Sequence, residues 1–472
     1  MKSILCNRGY IINKEYYDKE IIKNIKKELN VIPFSINKNY YNKGFKIYLE
    51  NSKQLCIPKY YGINKLGNPE INDISEGISI NSKFNGELRD YQKKILDIFL
   101  KKLKIKKGGI LSIPPGKGKT VLGIYLASIL KKKTLVIVHK TFLLNQWKKR
   151  IKEYMPTAKI GIIQQNKINI DDCDIVIGML QSISMKDYDI EVFEDFGFVI
   201  IDEVHHLGAE TFSKALQKIN TEYMIGLSAT PKREDKLEKV IYWYIGDILY
   251  HENPTINQNI RVNICNFDIN HKLFCEVINP RTSQAQMSSM TTNLTNINER
   301  SDTIIKSIIK IKLEEPLRKI LILSDRLDHL DYMKNIIDNN TNITTSKYIG
   351  GMKETELDEA EKADIIFSTY QMSSEGLDIP ALNTIVLSTS RKNVEQSVGR
   401  ILRKQSGYIV TPLIIDIIDN IKQYKNQGNC RKRFYKKITN EKNIKYFKNI
   451  NNKFILDKSK IKDIKEVIFL DD

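Results

Sequence analysis

Two series of short apolar runs constrain the fold of this 472-residue chain more than any other feature. The first series lies between Leu88 and Ile248 and consists of GILSI, TLVIVH, DIVIGM, FGFVIID and YMIGLSA. The second begins near Ile304 and consists of KILILSD, ADIIFST, TIVLSTS and IVTPLIID. Amphipathic segments separate the runs in both series, which is typical of a parallel sheet covered by helices on both faces. The sequence therefore predicts an α/β chain with two such domains.

Changes in this pattern along the chain predict the domain boundaries. We expect a small N-terminal α+β domain at 1–80, the first sheet domain at 81–250 and the second at 301–420. The polar stretch NPRTSQAQMSSMTTNLTNINER indicates a linker or insertion at 251–300. Residues 421–472 are rich in Lys, Arg and Tyr. This basic extension either enlarges a nucleic-acid surface or is a solvated basic helix.

The glycine-rich stretch IPPGKGKT follows the first apolar run and precedes a helical one, VLGIYLASIL. A phosphate-binding loop requires this strand–loop–helix arrangement, because backbone N–H groups at the helix start face the phosphate oxygens. Lys119 can reach the β- and γ-phosphates, and the Thr120 hydroxyl suits Mg²⁺. Ile113 stands where such loops usually begin with Gly or Ala, so the loop alone is a degenerate match. The predicted ATP-binding residues of the loop are Gly116, Lys117, Gly118, Lys119 and Thr120.

A second motif, FVIIDEVHHL, is an apolar strand that ends in two carboxylates. Asp202 can hold Mg²⁺ through water, and Glu203 can act as the general base on the attacking water. Carboxylates at strand ends are common, but together with the upstream loop this pair indicates a Mg²⁺-dependent ATPase. The spacing of His205 and His206 does not match a zinc motif such as HExxH, so we expect no zinc site.

The composition restricts the partners and the compartment. The chain has 75 basic and 56 acidic residues and a formal charge of +19, which suits a polyanion such as nucleic acid. Ile, Asn and Lys have A/T-rich codons, so genome composition explains part of the lysine excess. The six cysteines are scattered without a CxxC pair, which favours a reducing compartment. No apolar run approaches the roughly 18 residues of a membrane span, and no signal peptide is evident, so we expect a cytoplasmic protein without membrane contact.

Taken in order, the motifs resemble those of superfamily 2 helicases of the DEAD/DEAH type. LRDYQ resembles their adenine-reading motif, VHKTFLLNQWKKRI the motif that tracks a nucleic-acid strand, and DEVH the second ATPase motif. LSATP resembles the motif that couples hydrolysis to domain movement, STYQMSSEGLDIP the fifth motif and QSVGRILR the sixth. Each motif is weak alone, but their order and spacing extend from about residue 85 to 405.

The resemblance implies two tandem RecA-like parallel-sheet domains with ATP in the cleft between them. It implies catalytic roles for Lys119, Asp202, Glu203, Arg400 and Arg403, the two arginines acting on the γ-phosphate as arginine fingers. The implied ATP-binding set adds Arg89, Gln92, Gly376 and Asp378 to the loop residues. The implied coupling residues are His205, Ser228, Thr230 and Gln396. Thr120 and Asp202 would bind Mg²⁺.

A finer resemblance concerns the triplet Arg233, Glu234 and Asp235, which follows the coupling motif as in the XPB-like branch. IPKYYGINKLGNP, before LRDYQ, is similar to the poxvirus-type transcript release helicases of large DNA viruses. This implies a DNA-dependent ATPase with 3′-to-5′ unwinding that frees nascent RNA from viral transcription complexes, in a cytoplasmic viral factory or the virion. A phage-type recombination or repair helicase, an RNA helicase and an ATP-gated remodelling factor without processive unwinding stay open as alternatives. We expect DNA to be preferred over RNA.

Overall fold

The computed structural model describes residues 1–34, 44–206, 209–229, 236–253, 259–375, 377, 379–402 and 410–460. The chain divides into two compact units, Met1–Asn253 and Pro254–Asp472. Among the described helices, none combines the length and the apolar character that a membrane crossing would need.

The N-terminal residues form a small α+β layer. Its elements are β1 (Ser3–Cys6), β2 (Gly9–Asn13), α1 (Lys19–Glu28), β3 (Asn30–Val31), β4 (Phe45–Lys46), β5 (Leu49–Glu50), β6 (Gln54–Ile57), α2 (Lys59–Leu66) and β7 (Ile71–Asp73). A mixed sheet runs in the order β5-β6-β2-β1-β7, and β3 pairs with β4. Ile22 and Ile25 lie on the buried side of α1.

The first series of apolar runs forms the main sheet of the first unit. Its elements are α3 (Asp90–Lys106), β8 (Gly108–Ser112), α4 (Lys119–Leu130), β9 (Thr134–Val138), α5 (Thr141–Tyr154), β10 (Ile160–Gln164), β11 (Lys167–Asn169), β12 (Ile175–Met179), α6 (Leu180–Met185), β13 (Phe198–Ile201), α7 (Ala209–Leu216), β14 (Tyr223–Ser228), α8 (Glu238–Ile245) and β15 (Ile248–His251). The strand order is β11-β10-β12-β9-β13-β14-β8-β15. All described neighbours are parallel except β10 and β11.

This sheet is covered on both faces, as the apolar runs predicted. Along β9, Leu135 and Ile137 belong to one buried cluster, while Val136 and Val138 belong to a second. Successive side chains of a strand point to opposite faces, so a strand with apolar residues at every position is buried on both faces of the sheet.

The N-terminal layer shares its core with the first sheet. Tyr10 and Leu29 lie in the same buried cluster as Ile201 and Tyr244, and α2 packs against α8. The side chain of Lys59 is buried at this junction and donates to the carbonyl of Thr221 at 3.0 Å. Residues 1–80 therefore do not have a separate core in this structure.

The second unit contains a second large sheet. Its elements are β16 (Arg261–Phe267), α9 (Met287–Thr295), α10 (Asn298–Glu314), β17 (Ile320–Ser324), α11 (Leu327–Asn340), β18 (Thr345–Tyr348), α12 (Glu354–Ala360), β19 (Ile365–Thr369), α13 (Tyr370–Glu375), β20 (Thr384–Leu387), α14 (Glu395–Val398), β21 (Leu413–Asp419), α15 (Lys422–Ile438), β22 (Ile444–Ile450) and β23 (Lys453–Leu456). The order is β18-β19-β17-β20-β21-β16-β22-β23, with only β22 and β23 antiparallel among the described neighbours. The α/β class with two tandem parallel-sheet domains is confirmed.

The second sheet extends beyond the predicted range 301–420 at both ends. The segment 251–300, predicted as a linker, contains β16, α9 and the beginning of α10. Ser, Thr and Asn fill the solvent side of α9, while Met290 and Leu294 are buried, so its polar composition hid a packed helix. On the C-terminal side, β22 pairs with β16 within the sheet.

Candidate ATP site and helicase motifs

The predicted phosphate loop joins β8 to α4 in the first unit. All five residues of β8 are buried, and α4 begins at Lys119. Gly116 and Gly118 have φ angles of 81° and 82°, a left-handed backbone that favours glycine. A Cβ atom at Gly118 would lie 2.5 Å from Nε2 of Gln92, so a side chain there would displace the Gln92 amide.

The start of α3 holds this loop through Gln92, which is buried. Its Oε1 accepts a hydrogen bond from the Arg89 backbone N–H at 3.0 Å, and its Nε2 donates to the Lys117 carbonyl at 3.1 Å. The Tyr91 hydroxyl donates to the same carbonyl at 3.4 Å. The amide of Gln92 thus joins α3 to the phosphate loop. Adenine reading by Arg89 and Gln92 stays a prediction.

The carboxylates of the DEVH motif follow β13 directly. The Asp202 side chain is buried and its Oδ2 accepts a hydrogen bond from Nε1 of Trp147 at 2.8 Å. Burial, together with the negative charge of Glu203, raises the pKa of the Asp202 carboxyl to about 6. Sequence reasoning missed Trp147 as a site residue. The available signal was the single tryptophan of the segment VHKTFLLNQWKKRI, whose other helix residues are largely polar.

Glu203 lies next to the phosphate loop. Its Oε1 is 3.5 Å from Nζ of Lys119, and its Oε2 is 3.5 Å from Nδ1 of His205. Its φ is 49°, a left-handed conformation that is uncommon outside glycine and often occurs at functional sites. The structure therefore brings together the predicted base and the predicted phosphate lysine.

Ser228, at the end of β14, contacts both the DEVH motif and the start of the phosphate loop. Its hydroxyl is 2.8 Å from Nδ1 of His205, and its carbonyl accepts from the backbone N–H of Ile113 at 3.0 Å. Ile113 is buried at the start of the loop, so its side chain fills apolar space where a Gly or Ala is usual. The rest of this motif, Thr230 with Arg233, Glu234 and Asp235, lies outside the described residues.

The residues around the loop fit ATP with Mg²⁺. The glycine positions leave the loop backbone open at the N-terminus of α4, where N–H groups and the helix dipole favour anions. The Thr120 hydroxyl on α4 and the buried Asp202 carboxylate are hard oxygen ligands of the kind that Mg²⁺ prefers. These two residues would hold the ion.

The predicted site residues of the second unit are only partly described. Gln396 lies on α14, and Arg400 follows that helix and donates from Nε to the Ser373 carbonyl at 2.7 Å. Gly376, Asp378 and Arg403 lie outside the described residues. The roles of these five residues stay predictions.

The basic extension contributes α15, whose residues 422–438 include no Asp or Glu. Its buried side carries Arg431, which binds Asp416 on β21. The exposed basic side chains of α15 are Lys422, Lys425, Arg433, Lys436 and Lys437. This surface is compatible with both alternatives for the extension, a nucleic-acid contact and a solvated helix.

Comparisons with known proteins find similarity to helicases. The family model described as Type III restriction enzyme, res subunit, matches residues 85–233. A putative ATP-dependent RNA helicase of Acanthamoeba polyphaga mimivirus is 40% identical over 448 residues, which cover 93% of this chain and 86% of the relative. A putative ATP-dependent RNA helicase of African swine fever virus is 26% identical over 376 residues, covering 74% of this chain and 73% of the relative. A probable helicase of Escherichia phage T5 is 28% identical over 322 residues, which cover 66% of this chain and 67% of the relative.

These matches show that the chain is an ATP-hydrolysing helicase. With its long match to the mimivirus relative, the chain belongs to the superfamily 2 helicases that occur in large DNA viruses. This family uses ATP and binds nucleic acid.

Proposed function

We propose that this helicase is a DNA-stimulated ATPase that translocates 3′-to-5′ and unwinds duplex DNA. The observation that carries the ATPase part is the 3.5 Å contact between Lys119 of the phosphate loop and Glu203 of the acidic motif. The DNA preference is supported by DEVH and by the sequence triplet at 233–235, which resembles the XPB-like branch. The polarity is supported by the resemblance to the poxvirus-type helicases.

The residues of the first unit have distinct tasks in this proposal. Lys119 exchanges its contact with Glu203 for phosphate oxygens, which leaves the carboxylate able to accept a proton from the attacking water. Asp202 keeps its orientation through Trp147, because the indole holds one of its two oxygens. Bound ATP and Mg²⁺ supply the phosphoanhydride bond and the charge that balances the phosphates.

The second unit contributes arginines in this proposal. The likeness of QSVGRILR to the sixth helicase motif supports Arg400 and Arg403 as fingers that act on the γ-phosphate. A finger of this kind accelerates hydrolysis roughly 10³-fold or more. Closure around ATP and opening after hydrolysis would then drive steps along a strand.

The nucleic-acid partner is proposed to be DNA, bound through its backbone without sequence preference and with strong salt dependence. The net charge of +19 supports a polyanion partner. Similarity to the poxvirus-type helicases supports a role in transcript release from a viral transcription complex, in a cytoplasmic viral factory or the virion. A phage-type recombination or repair helicase of similar build is the alternative.

An RNA helicase is the second candidate function. The relatives in mimivirus and African swine fever virus are both named as putative RNA helicases. A third candidate is a remodelling factor that hydrolyses ATP without processive unwinding, and a strand-displacement assay separates it from both helicases.

The test is the ATPase rate without nucleic acid and with single-stranded DNA, duplex DNA or RNA of matched length. We expect strong stimulation by DNA and weak stimulation by RNA, and a Lys119→Ala variant should be inactive in every case. Preferential stimulation by RNA would contradict the DNA proposal. Duplexes with a 3′ or a 5′ tail then give the polarity, and release of labelled RNA from a stalled elongation complex tests the transcript-release role.

A further inference from the structure

Lys117, between the two loop glycines, has side-chain contacts that differ from those of Lys119. Its Nζ lies 3.1 Å from Oε1 of Glu252 and 4.8 Å from the centre of the Tyr91 ring. Both charged side chains are largely buried, with 14% of Lys117 and 21% of Glu252 exposed. The backbone carbonyl of Lys117 accepts hydrogen bonds from the side chains of Gln92 and Tyr91. Lys117 is thus anchored at both its backbone and its side chain.

Glu252 is fixed at the base of the loop by the edge of the sheet. It follows β15, which pairs with β8, and its backbone N–H donates to the carbonyl of Ser112 at 2.9 Å. The neighbouring His251 adds a contact from Nδ1 to the Ser112 hydroxyl at 3.0 Å. Since Ser112 is the last residue of β8, the Glu252 backbone is bound where the phosphate loop begins.

Two lysines separated by one residue therefore have different carboxylate partners. Lys119 is 3.5 Å from Glu203, while Lys117 is 3.1 Å from Glu252. An unpaired ammonium on Lys117 would draw the short loop out of shape or compete with Lys119 for the phosphates. Neutralising that charge keeps one lysine for the nucleotide.

We propose that Glu252 is a positioning residue for ATP binding, which acts by holding Lys117 and through it the backbone of the phosphate loop. This inference rests on the proposed ATP site. Glu252 touches neither the predicted base nor Lys119 in any described contact, so its loss should weaken nucleotide binding and leave the chemical step nearly unchanged.

The test compares Glu252→Gln, Lys117→Met and the double variant. Measured properties are the Kd for a non-hydrolysable ATP analogue and the KM and kcat of the nucleic-acid-stimulated ATPase. We expect Glu252→Gln to raise Kd and KM about fivefold, the size expected for a partly buried ion pair, with kcat within about twofold of wild type. A lower kcat at unchanged KM would mean a smaller active fraction and would overturn the positioning role.

The double variant supplies the sharper result. In the described part of the chain, Oε2 of Glu252 is buried and has no hydrogen-bond partner, so Lys117→Met leaves a carboxylate without its counter-charge. The double variant should therefore bind the analogue more tightly than Lys117→Met alone. Removing one member of a buried ion pair costs more than removing both. Additive effects of the two substitutions would overturn the inference.

A matched control lies at the other end of β8. Lys107 precedes that strand and contacts Glu222 at 2.8 Å, and Glu222→Gln should leave Kd and KM unchanged. If Lys117→Met does not fold, as judged by its thermal unfolding, Glu252→Gln against Glu252→Asp still tests the carboxylate, and Asp should retain part of the affinity. Should Lys119→Ala hydrolyse ATP normally, the proposed function fails. Should Lys119→Ala be inactive while Glu252→Gln binds like wild type, only this inference fails.

Discussion

The two parallel sheets treat charged residues at their carboxyl edges in opposite ways. At the edge of the first sheet, Lys119 and Glu203 lie 3.5 Å apart and keep 11% and 18% of their side chains exposed. In the second unit, Arg300 binds Asp419 at 2.7 Å with neither side chain exposed. The first pair can exchange partners with a ligand, while the second is sealed from water.

The second unit repeats the sealed arrangement with Arg431. Its guanidinium binds Asp416 through Nε and Nη2, and its Nη1 donates to the Ser390 hydroxyl. A fully buried pair is expensive to separate, because each charge would be left in a medium of low dielectric. The same architecture thus carries a partly exposed ion pair at the edge of one sheet and fully buried ion pairs in the other.

The largest effect is expected at the open edge. Lys119→Ala should reduce ATP hydrolysis to background, because no other described lysine of the loop faces Glu203. Steady-state ATPase assays with and without DNA check this, with Lys104→Ala on the exposed side of α3 as the control. Normal turnover in Lys119→Ala would remove the loop from the ATP site.

Glu203→Gln should retain ATP binding and block turnover, since the amide cannot accept the proton of the attacking water. General-base catalysis contributes roughly 10²–10⁴-fold, and we expect a loss of kcat in that range. Nucleotide binding by fluorescence, measured beside the ATPase rate, separates the two steps. Glu210→Gln, at an exposed pair on α7, is the control. A wild-type rate in Glu203→Gln would exclude this residue as the base.

Arg403→Ala asks whether the second unit also supplies chemistry. We expect kcat to fall by roughly 10³-fold with little change in DNA affinity, as for an arginine finger. Single-turnover hydrolysis and DNA binding by fluorescence anisotropy are the measurements, with Arg281→Ala, at an exposed arginine in the turn before α9, as the control. Loss of DNA affinity at an unchanged rate would assign Arg403 to the nucleic acid.

The sealed pairs should determine the stability of the second unit. Asp416→Asn leaves the Arg431 guanidinium buried without its counter-charge and should lower the free energy of unfolding by about 3–5 kcal/mol. Asp325→Asn breaks a pair with Arg391, whose side chain is 52% exposed, and should cost about 1 kcal/mol or less. Denaturant unfolding checks both. Equal losses would end the distinction between sealed and open pairs.

His329 gives the most specific effect, because it develops only as the pH falls. Burial, together with the charge of Arg300, lowers its pKa to about 3 from an ordinary value of about 6.5. Below pH 6.5, His329 is therefore protonated in the unfolded chain but stays neutral in the folded chain. The free energy of unfolding falls as the pH is lowered towards 3. The contribution is about 1.4 kcal/mol per pH unit.

Unfolding measured from pH 7 to pH 4 for wild type and His329→Asn isolates this contribution. The imidazole contacts Ser324 and Ser301 at 3.0 and 3.1 Å, so His329→Asn should be less stable at pH 7 but should show a shallower loss with falling pH. Parallel pH profiles would mean that the pKa of His329 is the same in the folded and the unfolded chain.

Local pattern was sufficient for much of the fold and of the first site. The apolar runs predicted the strands, and the glycine-rich stretch predicted the loop between β8 and α4. Asp202 and Glu203 were predicted because two carboxylates follow an apolar run. These predictions depend on neighbours in the sequence, where strand period, glycine freedom and helix start are encoded.

Other assignments depend on contacts between distant residues. Trp147 reaches Asp202 across 55 positions, and the Lys117–Glu252 pair joins residues 135 positions apart. Neither Lys117 nor Glu252 is unusual within its own segment, and Trp147 stands out in its helix without revealing that its partner is Asp202. The hydrogen bond from Gln92 to the Lys117 carbonyl could not be predicted either, because the sequence of a motif does not show which backbone group its amide contacts.

By itself, the sequence determined that this protein is an α/β chain with two sheet domains and a phosphate loop beside an acidic strand end. Only the tertiary structure decided that the N-terminal layer shares a core with the first sheet, and that β16 and β22 widen the second. The physical reason is the range of the interactions. Strand and loop preferences act over a few residues, whereas core sharing and ion-pair choice depend on which surfaces the folded chain brings together.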